Sequence, residues 1–513
     1  MAKGARAQKP STSRSSEPLR PCRIRGIPTL TLHDPPSGGL CRVWGHRGVG
    51  PAIGHNGRVR ITFATAELSP VVTVGGLAAA SAGLIGSLRR SGVQVDVLLP
   101  DYGGVDLDAI DVIELDVPQW AGPASIRVVD HPDVGLLHLV AAPGLARSHP
   151  YLQPDGQGWL DNVDRFLRFS RSVAAYVELS QPDVLHLNDW HTAAALAALE
   201  SPPPTVLSLH NLAHQGHGPG EWLERIGPRA EHFEWWGGIN PLSGAIALAD
   251  RIVAVSPHHA TEITTQGGGF GLDAALRARG SAVLGILNGI DTTVWDPATD
   301  PHLPAHFDRK DLSGKERCRH ALLQRVGLDD DGSLLATVVT RLTDQKGIDL
   351  LLPAIALLAD VPMQLIVLGS GDRALADALA HAADDSDRCA FVEGYDETLS
   401  HLMFAGADLF VMPSRFEPCG LTQMQAMRYG TIPIVTPVGG LVDTVPDIDA
   451  DARRGYGVVA RSADPVAIMS ALHRASRRFG QRRLDAVRKR IMAHDWSWDA
   501  PAERYRQVYQ EIS

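Results

Sequence analysis

Two cations stand five residues apart where a short apolar run ends, in Val338-Val339-Thr340-Arg341 followed by Gln345-Lys346-Gly347. Further on come a carboxylate, in Ser414-Arg415-Phe416-Glu417-Pro418-Cys419-Gly420-Leu421, and a glycine pair, in Pro437-Val438-Gly439-Gly440-Leu441. Fixed cations neutralise phosphate, a carboxylate accepts hydrogen bonds from sugar hydroxyls, and a glycine pair lets backbone N–H groups approach an anion. Together these residue types suit a site for a sugar nucleotide.

The first half of the chain carries a second set of polar residues. Val59 to Ala66 reads as a buried strand, Thr73-Val74-Gly75-Gly76-Leu77 as a turn opening an Ala-rich helix, and Val93 to Pro100 as a second strand. Such a strand, helix, strand unit implies a parallel sheet. Val184 to Asn188 and Thr205 to Leu209 are further strands, ending at Asp189-Trp190-His191-Thr192 and at His210-Asn211-Leu212. Ligands of open α/β sheets bind at the carboxyl ends of strands, so Asp189 and His210 are candidate site residues. In the second half, Leu334 to Thr340, Met363 to Leu368, Cys389 to Glu393, Leu409 to Pro413 and Thr431 to Thr436 are short strands separated by helical stretches, which makes a second α/β domain.

With 513 residues, the chain is long enough for two or three domains of ~150 residues, and two large ones fit best. We expect a basic, acid-poor extension over 1–57 that forms no packed structure, a first domain over 58–297, a second over 298–485, and a terminal helical segment over 486–513 that packs back on the first domain. The extension's composition suits an organelle transit peptide, though without the amphipathic period of one, and equally a bacterial extension or a misassigned start. The Pro-rich stretch from Pro297 to Pro304 reads as the interdomain linker. A net charge of -10 argues against a general nucleic-acid binder, and no apolar run reaches the ~18 residues of a membrane span. The five scattered cysteines contain no paired spacing, so neither a disulfide framework nor a metal site is expected.

From Arg58 to the C-terminus the motifs resemble the glycogen/starch synthases, retaining glycosyltransferases built from two facing Rossmann-like domains, the GT-B fold. The resemblance rests on Thr65-Ala66-Glu67, Val74 to Leu77, Asp161-Asn162 with Arg165-Phe166, Asn188 to Thr192, Leu209 to Leu212, Ala249-Asp250-Arg251, Val255-Ser256-Pro257, Gly285 to Asp291 with Trp295, Arg341 to Gly347, and Pro413 to Thr422. It implies transfer of glucose from ADP-glucose or UDP-glucose to the non-reducing end of an α-1,4-glucan, in the cytoplasm, with no cofactor. By the same resemblance Arg341 and Lys346 neutralise the donor diphosphate without a metal, and Glu417 faces the donor glucose. His210 lies beside the transferred sugar, and Asp189 lies near the junction of donor and acceptor. Tyr395 stacks on the base, and the backbones of Gly75, Gly76, Gly439, Gly440 and Leu441 cradle phosphate. The donor base and the oligomeric state are left open.

Three positions depart from the family pattern. Thr73 stands where the family carries a lysine that contacts the donor phosphate, Ser243 where it tends to have lysine, and Gln425 where many relatives of the fold carry a second acid. Loss of one charge-assisted phosphate contact costs ~1.5–3 kcal/mol, one to two decades in affinity or rate. Thr73 therefore keeps two other readings open: a related glycosyltransferase with another acceptor, and a weakened paralogue that binds glucan without turnover.

Overall fold

The computed structural model describes residues 59–513 apart from 357, 359 and 480, so the expectation for the extension 1–57 lies outside the described residues. Among the described residues the strands form three sheets. In the first half they are β1 (Arg60–Ala64), β2 (Gln94–Pro100), β3 (Asp111–Leu115), β4 (Ala124–His131), β5 (Gly135–Ala141), β6 (Val184–Asn188), β7 (Thr205–Leu209), β8 (Gly218–Pro219), β9 (Glu234–Trp235), β10 (Gly238–Ile239), β11 (Arg251–Ala254) and β12 (Val283–Gly285). All but β8 to β10, which make a small sheet of their own, join one nine-stranded sheet in the order β12-β11-β7-β6-β1-β2-β5-β4-β3. Seven strands of it, from β12 to β5, run parallel.

The other edge departs from the expected parallel sheet: β3, β4 and β5 pair antiparallel. The connections there are too short for a crossover helix, and only antiparallel neighbours accept a tight turn.

The second half forms a six-stranded parallel sheet in the order β15-β14-β13-β16-β17-β18, from β13 (Leu334–Val339), β14 (Met363–Gly369), β15 (Cys389–Glu393), β16 (Leu409–Met412), β17 (Ile432–Val435) and β18 (Val458–Val459). Its strands are near-continuous apolar runs because helices cover both faces; β14, β16 and β17 are buried throughout.

The stretch read as a linker is fastened to this second lobe. Asp300 Oδ2 lies 2.8 Å from His401 Nδ1 and accepts from Tyr429 OH at 2.5 Å. Arg428 pairs with Asp296 at 2.7 Å, and the Trp295 ring stacks on His401 with centroids 4.1 Å apart. At the far end, the boundary expected after residue 485 falls inside the helix Gln481–Ile491, whose Leu484, Val487 and Ile491 belong to the second lobe's core. The chain then crosses back. Trp496 O accepts from Ile290 N at 2.8 Å, and a side chain on Gly289 would meet Ser497 O at 2.5 Å, so only glycine lets the two crossing segments lie this close.

The last helix, Asp499–Ile512, buries Ala502, Tyr505, Val508 and Tyr509 in the first lobe's core beside Phe63 and Leu84. Tyr509 OH bonds His186 Nδ1 at 2.7 Å, and Ser208 Oγ joins His186 Nε2 at 2.8 Å to Tyr505 OH at 3.2 Å. Burial pushes the His186 pKa down to about 3, so this bridge is neutral at physiological pH.

Candidate functional site

Sheet order brings the candidate residues of each lobe together. In the second lobe β13, β16 and β17 are adjacent, so the loops that follow them, bearing Arg341 and Lys346, Glu417, and Gly439 to Leu441, share one edge. Lys346 Nζ donates to Glu417 Oε2 at 2.6 Å, and Ser414 Oγ donates to the same oxygen at 3.0 Å. Glu417 is 5% exposed, and a carboxylate so buried requires such a partner.

The Lys346 loop is itself clamped. Arg415 grips Asp349 through both carboxylate oxygens at 2.7 and 2.6 Å, Arg415 N donates to Gln345 O at 2.9 Å, and Gln345 Nε2 donates to Phe416 O at 3.1 Å. Gly347 turns the loop at φ +64°, where any Cβ would strike Pro413 O. Arg341 is different: it is exposed and makes no ion pair with a described residue. It is the available cation of the edge.

In the first lobe β7, β6 and β1 are adjacent, so His210, Asp189 and Glu67 converge. Asp189 is 5% exposed and has a left-handed backbone, φ +52°, unusual for a residue with a Cβ. Its Oδ1 accepts from His210 N at 2.7 Å and Asn211 N at 3.4 Å, which ties the end of β6 to the end of β7. Burial pushes the Asp189 pKa up to about 7 although these two bonds pull it down.

Burial also lowers the His210 pKa to about 4, so the ring is neutral. Asn188 Nδ2 donates to Ala64 O at 2.9 Å, so Asn188 Oδ1 faces His210 Nε2, also at 2.9 Å. That contact places the proton on Nε2 and leaves Nδ1 as the ring's acceptor nitrogen.

The two edges face one another. A Cβ on Gly76 would lie 3.9 Å from Leu421 Cδ1, and the Arg341 charge, second to desolvation, depresses the pKa of His214, which follows His210 by four residues. Direct bonds also cross between the lobes: Ser256 Oγ donates to Pro418 O at 2.6 Å, Asp443 Oδ2 accepts from His258 N at 2.9 Å, and Glu262 Oε1 accepts from Gly439 N at 2.9 Å.

Two features were not legible as site chemistry in the sequence. Glu67 Oε2 accepts from Val74 N at 3.0 Å and Gly75 N at 2.8 Å, while its Oε1 accepts from Tyr151 OH at 2.8 Å, so a buried carboxylate organises the Gly75 turn. On the facing edge Glu262 holds Gly439 N, Gly440 N donates to Glu417 O at 3.1 Å, and Leu441 N to Val438 O at 3.1 Å. The glycine-turn amides of Gly75, Gly439 and Gly440, and that of Leu441, thus have protein acceptors in this structure. Thr73 is exposed and its hydroxyl is 2.8 Å from Ser69 Oγ. Tyr395 follows β15, two strands from β13, and is 82% exposed.

The chain is similar to known proteins along most of its length. A family model described as the starch synthase catalytic domain matches residues 60–278, and one for group 1 glycosyl transferases matches 323–474. The glycogen synthase of Aromatoleum aromaticum is 42% identical over 481 residues, covering 88% of this chain and 97% of that protein. Glycogen synthase 1 of Methylococcus capsulatus is 40% identical, covering 88% and 96%. Among solved structures, the catalytic domain of starch synthase IV from Arabidopsis thaliana, bound to ADP and acarbose, is similar with a TM-score of 0.80 and 33% identity, covering 89% of this chain and 99% of that one. A sucrose-phosphate synthase from Thermosynechococcus elongatus shares the fold, with a TM-score of 0.58 at 18% identity.

Proposed function

This chain belongs to the glycogen and starch synthase family of retaining glycosyltransferases, and from that membership we propose that it transfers glucose from ADP-glucose to the non-reducing end of an α-1,4-glucan. The observation that carries the reading is the arrangement across the cleft: Lys346 paired with Glu417 and Arg341, which has no ion-pair partner among the described residues, on one edge, Asp189 and a neutral His210 on the other. ADP is preferred to UDP as the donor nucleotide because the similar starch synthase IV structure was solved with ADP.

In this reading Arg341 draws in the donor diphosphate and Lys346 shares its charge between that diphosphate and Glu417. Glu417 accepts hydrogen bonds from the glucose hydroxyls and favours positive charge as the anomeric carbon parts from phosphate. His210 Nδ1 accepts from a sugar hydroxyl, and Asp189 fixes the backbone at the junction with the acceptor. The bond from anomeric carbon to phosphate oxygen breaks, and the acceptor hydroxyl oxygen bonds that carbon on the same face. The hydroxyl proton passes to the departing phosphate oxygen, giving ADP and a glucan longer by one residue. Tyr395 stacks on the base. Gly75 and Gly439 turn their amides to the phosphates once Glu67 and Glu262 yield them, and the backbones of Gly76, Gly440 and Leu441 complete the cradle. The bacterial relatives support a cytoplasmic location; no described helix is long and apolar enough to cross a membrane.

The test is nucleotide release from ADP-glucose and UDP-glucose with glycogen as acceptor. Release of ADP with incorporation into glycogen supports the reading; release from neither donor overturns it.

A further inference from the structure

The small sheet of the first lobe carries a hairpin with an ill-suited turn residue. β9 and β10 pair antiparallel, with Trp235 opposite Gly238, and the two residues between them, Trp236 and Gly237, both have positive φ, +52° and +81°. Two-residue hairpin turns of this kind favour Asn, Asp or Gly at their first position, and a bulky side chain is strained in the left-handed region. Trp236 occupies that position and is 90% exposed.

The tip is held in place. Glu234 Oε1 accepts from Gly237 N at 2.8 Å, and any Cβ on Gly220 would strike Gly237 O, so the turn lies close against the preceding segment. Trp235 is half-buried and packs on the first lobe's core, its ring 6.4 Å from that of His217. At the root, Asn240 Nδ2 donates to Gln215 Oε1 at 2.7 Å, which ties the hairpin to the loop that leaves β7 after His210. One tryptophan anchors the hairpin, and a fixed backbone presents the other to solvent.

A solvated indole on a strained backbone adds nothing to the fold, so the position points to a ligand. Among the described residues from 180 to 269, Trp236 is the only large apolar side chain that is exposed, so it belongs to no apolar patch of the kind that protein partners bury. Glu221, Glu224, Glu231 and Glu234 outnumber Arg225 and Arg229 over 220–240, which disfavours nucleic acid and anionic membranes. An isolated aromatic face beside carboxylates suits a neutral sugar. The C–H bonds of a pyranose lie against the electron-rich face of the ring, and carboxylate oxygens accept from the hydroxyls at its rim.

We infer that Trp236 is a binding platform for the acceptor glucan, taking a glucose unit other than the one that reacts, with Glu234 accepting from its hydroxyls. The inference rests on the glucan-acceptor reading above. A polymer held at the hairpin stays with the enzyme between transfers, which raises the effective concentration of its chain ends.

The test uses the turn itself. Asn suits its first position better than Trp, so Trp236→Asn keeps or raises Tm, and a loss of binding in that variant is not a loss of fold. Retardation of the full chain in native gels containing glycogen, and KM for glycogen with ADP-glucose as donor, are measured for the parent, Trp236→Asn and Trp236→Phe. The Asn variant is expected to lose glycogen affinity at least fivefold, in KM for glycogen rather than in KM for ADP-glucose, and the Phe variant, which keeps a ring, to stay within twofold of the parent. A variant whose only change is its elution volume in size exclusion assigns the ring to a contact between copies and overturns the inference. A parent that is neither retarded by glycogen nor releases nucleotide overturns the acceptor reading and this inference with it, whereas a parent that extends glycogen while the Asn variant binds it equally well overturns this inference alone.

Discussion

Lys346 and Glu417 neutralise each other in the free protein, which leaves Arg341 as the charge that first meets an incoming diphosphate. Arg341→Ala therefore raises KM for the sugar nucleotide about 10- to 100-fold, the weight of one charge-assisted contact. Lys346→Ala acts differently, because it strands a buried carboxylate without its partner: kcat falls about 100-fold or more. Steady-state kinetics on the two variants distinguish these outcomes, and equal, mild losses would refute the assignment. Thr73→Lys restores a cation at the opposite turn and lowers KM about tenfold in the same assay.

Asp189 supplies the pH dependence. Its folded pKa, about 7, is raised above the ordinary carboxyl value, so protonation stabilises the fold. That stabilisation is complete below about 4 and is lost as pH rises through 7. Asp189→Asn, which cannot ionise, therefore gains Tm relative to the parent at pH 8 compared with pH 5, as thermal unfolding at the two pH values checks. The strand ends bearing Asp189 and His210 were legible in the sequence because apolar runs stop there. Glu67 and Glu262 were not, since nothing local shows that a carboxylate will take a backbone amide from another loop.

The elements that carry these residues were readable where burial is two-sided. β14 and β16 begin where the apolar runs begin. The antiparallel edge β3-β4-β5 was not readable, because half-exposed strands such as β3 carry a weak apolar pattern. Pro297 to Pro304 has linker composition but is pinned through Asp300, which packing decided and composition does not show. One element-level contact sets the geometry of the Lys346 loop, the bidentate Arg415–Asp349 pair. Arg415→Ala loosens that loop and lowers kcat/KM about 3- to 10-fold with Tm nearly unchanged, since a partly exposed pair contributes little to global stability. A fall in Tm with unaltered kinetics would show the pair to be merely structural.

Across the whole molecule, the helix Asp499–Ile512 belongs to the lobe whose first strand begins at Arg60. Tyr505→Ala or Tyr509→Ala removes a fully buried ring and its bond to the His186–Ser208 bridge, and each costs about 3–5 kcal/mol in denaturant unfolding monitored by circular dichroism. This arrangement also sets an order of events during synthesis. The second lobe's sheet, from Leu334 to Val459, is continuous in the chain and has all its strands before the last helix is made. The first lobe lacks Tyr505 and Tyr509 until the helix Asp499–Ile512 has emerged from the ribosome. The lobe translated second is thus the one able to finish folding first, a reversal of the usual vectorial order. Nascent chains halted before Trp498 should show a protease-resistant second lobe beside a first lobe that is still cut.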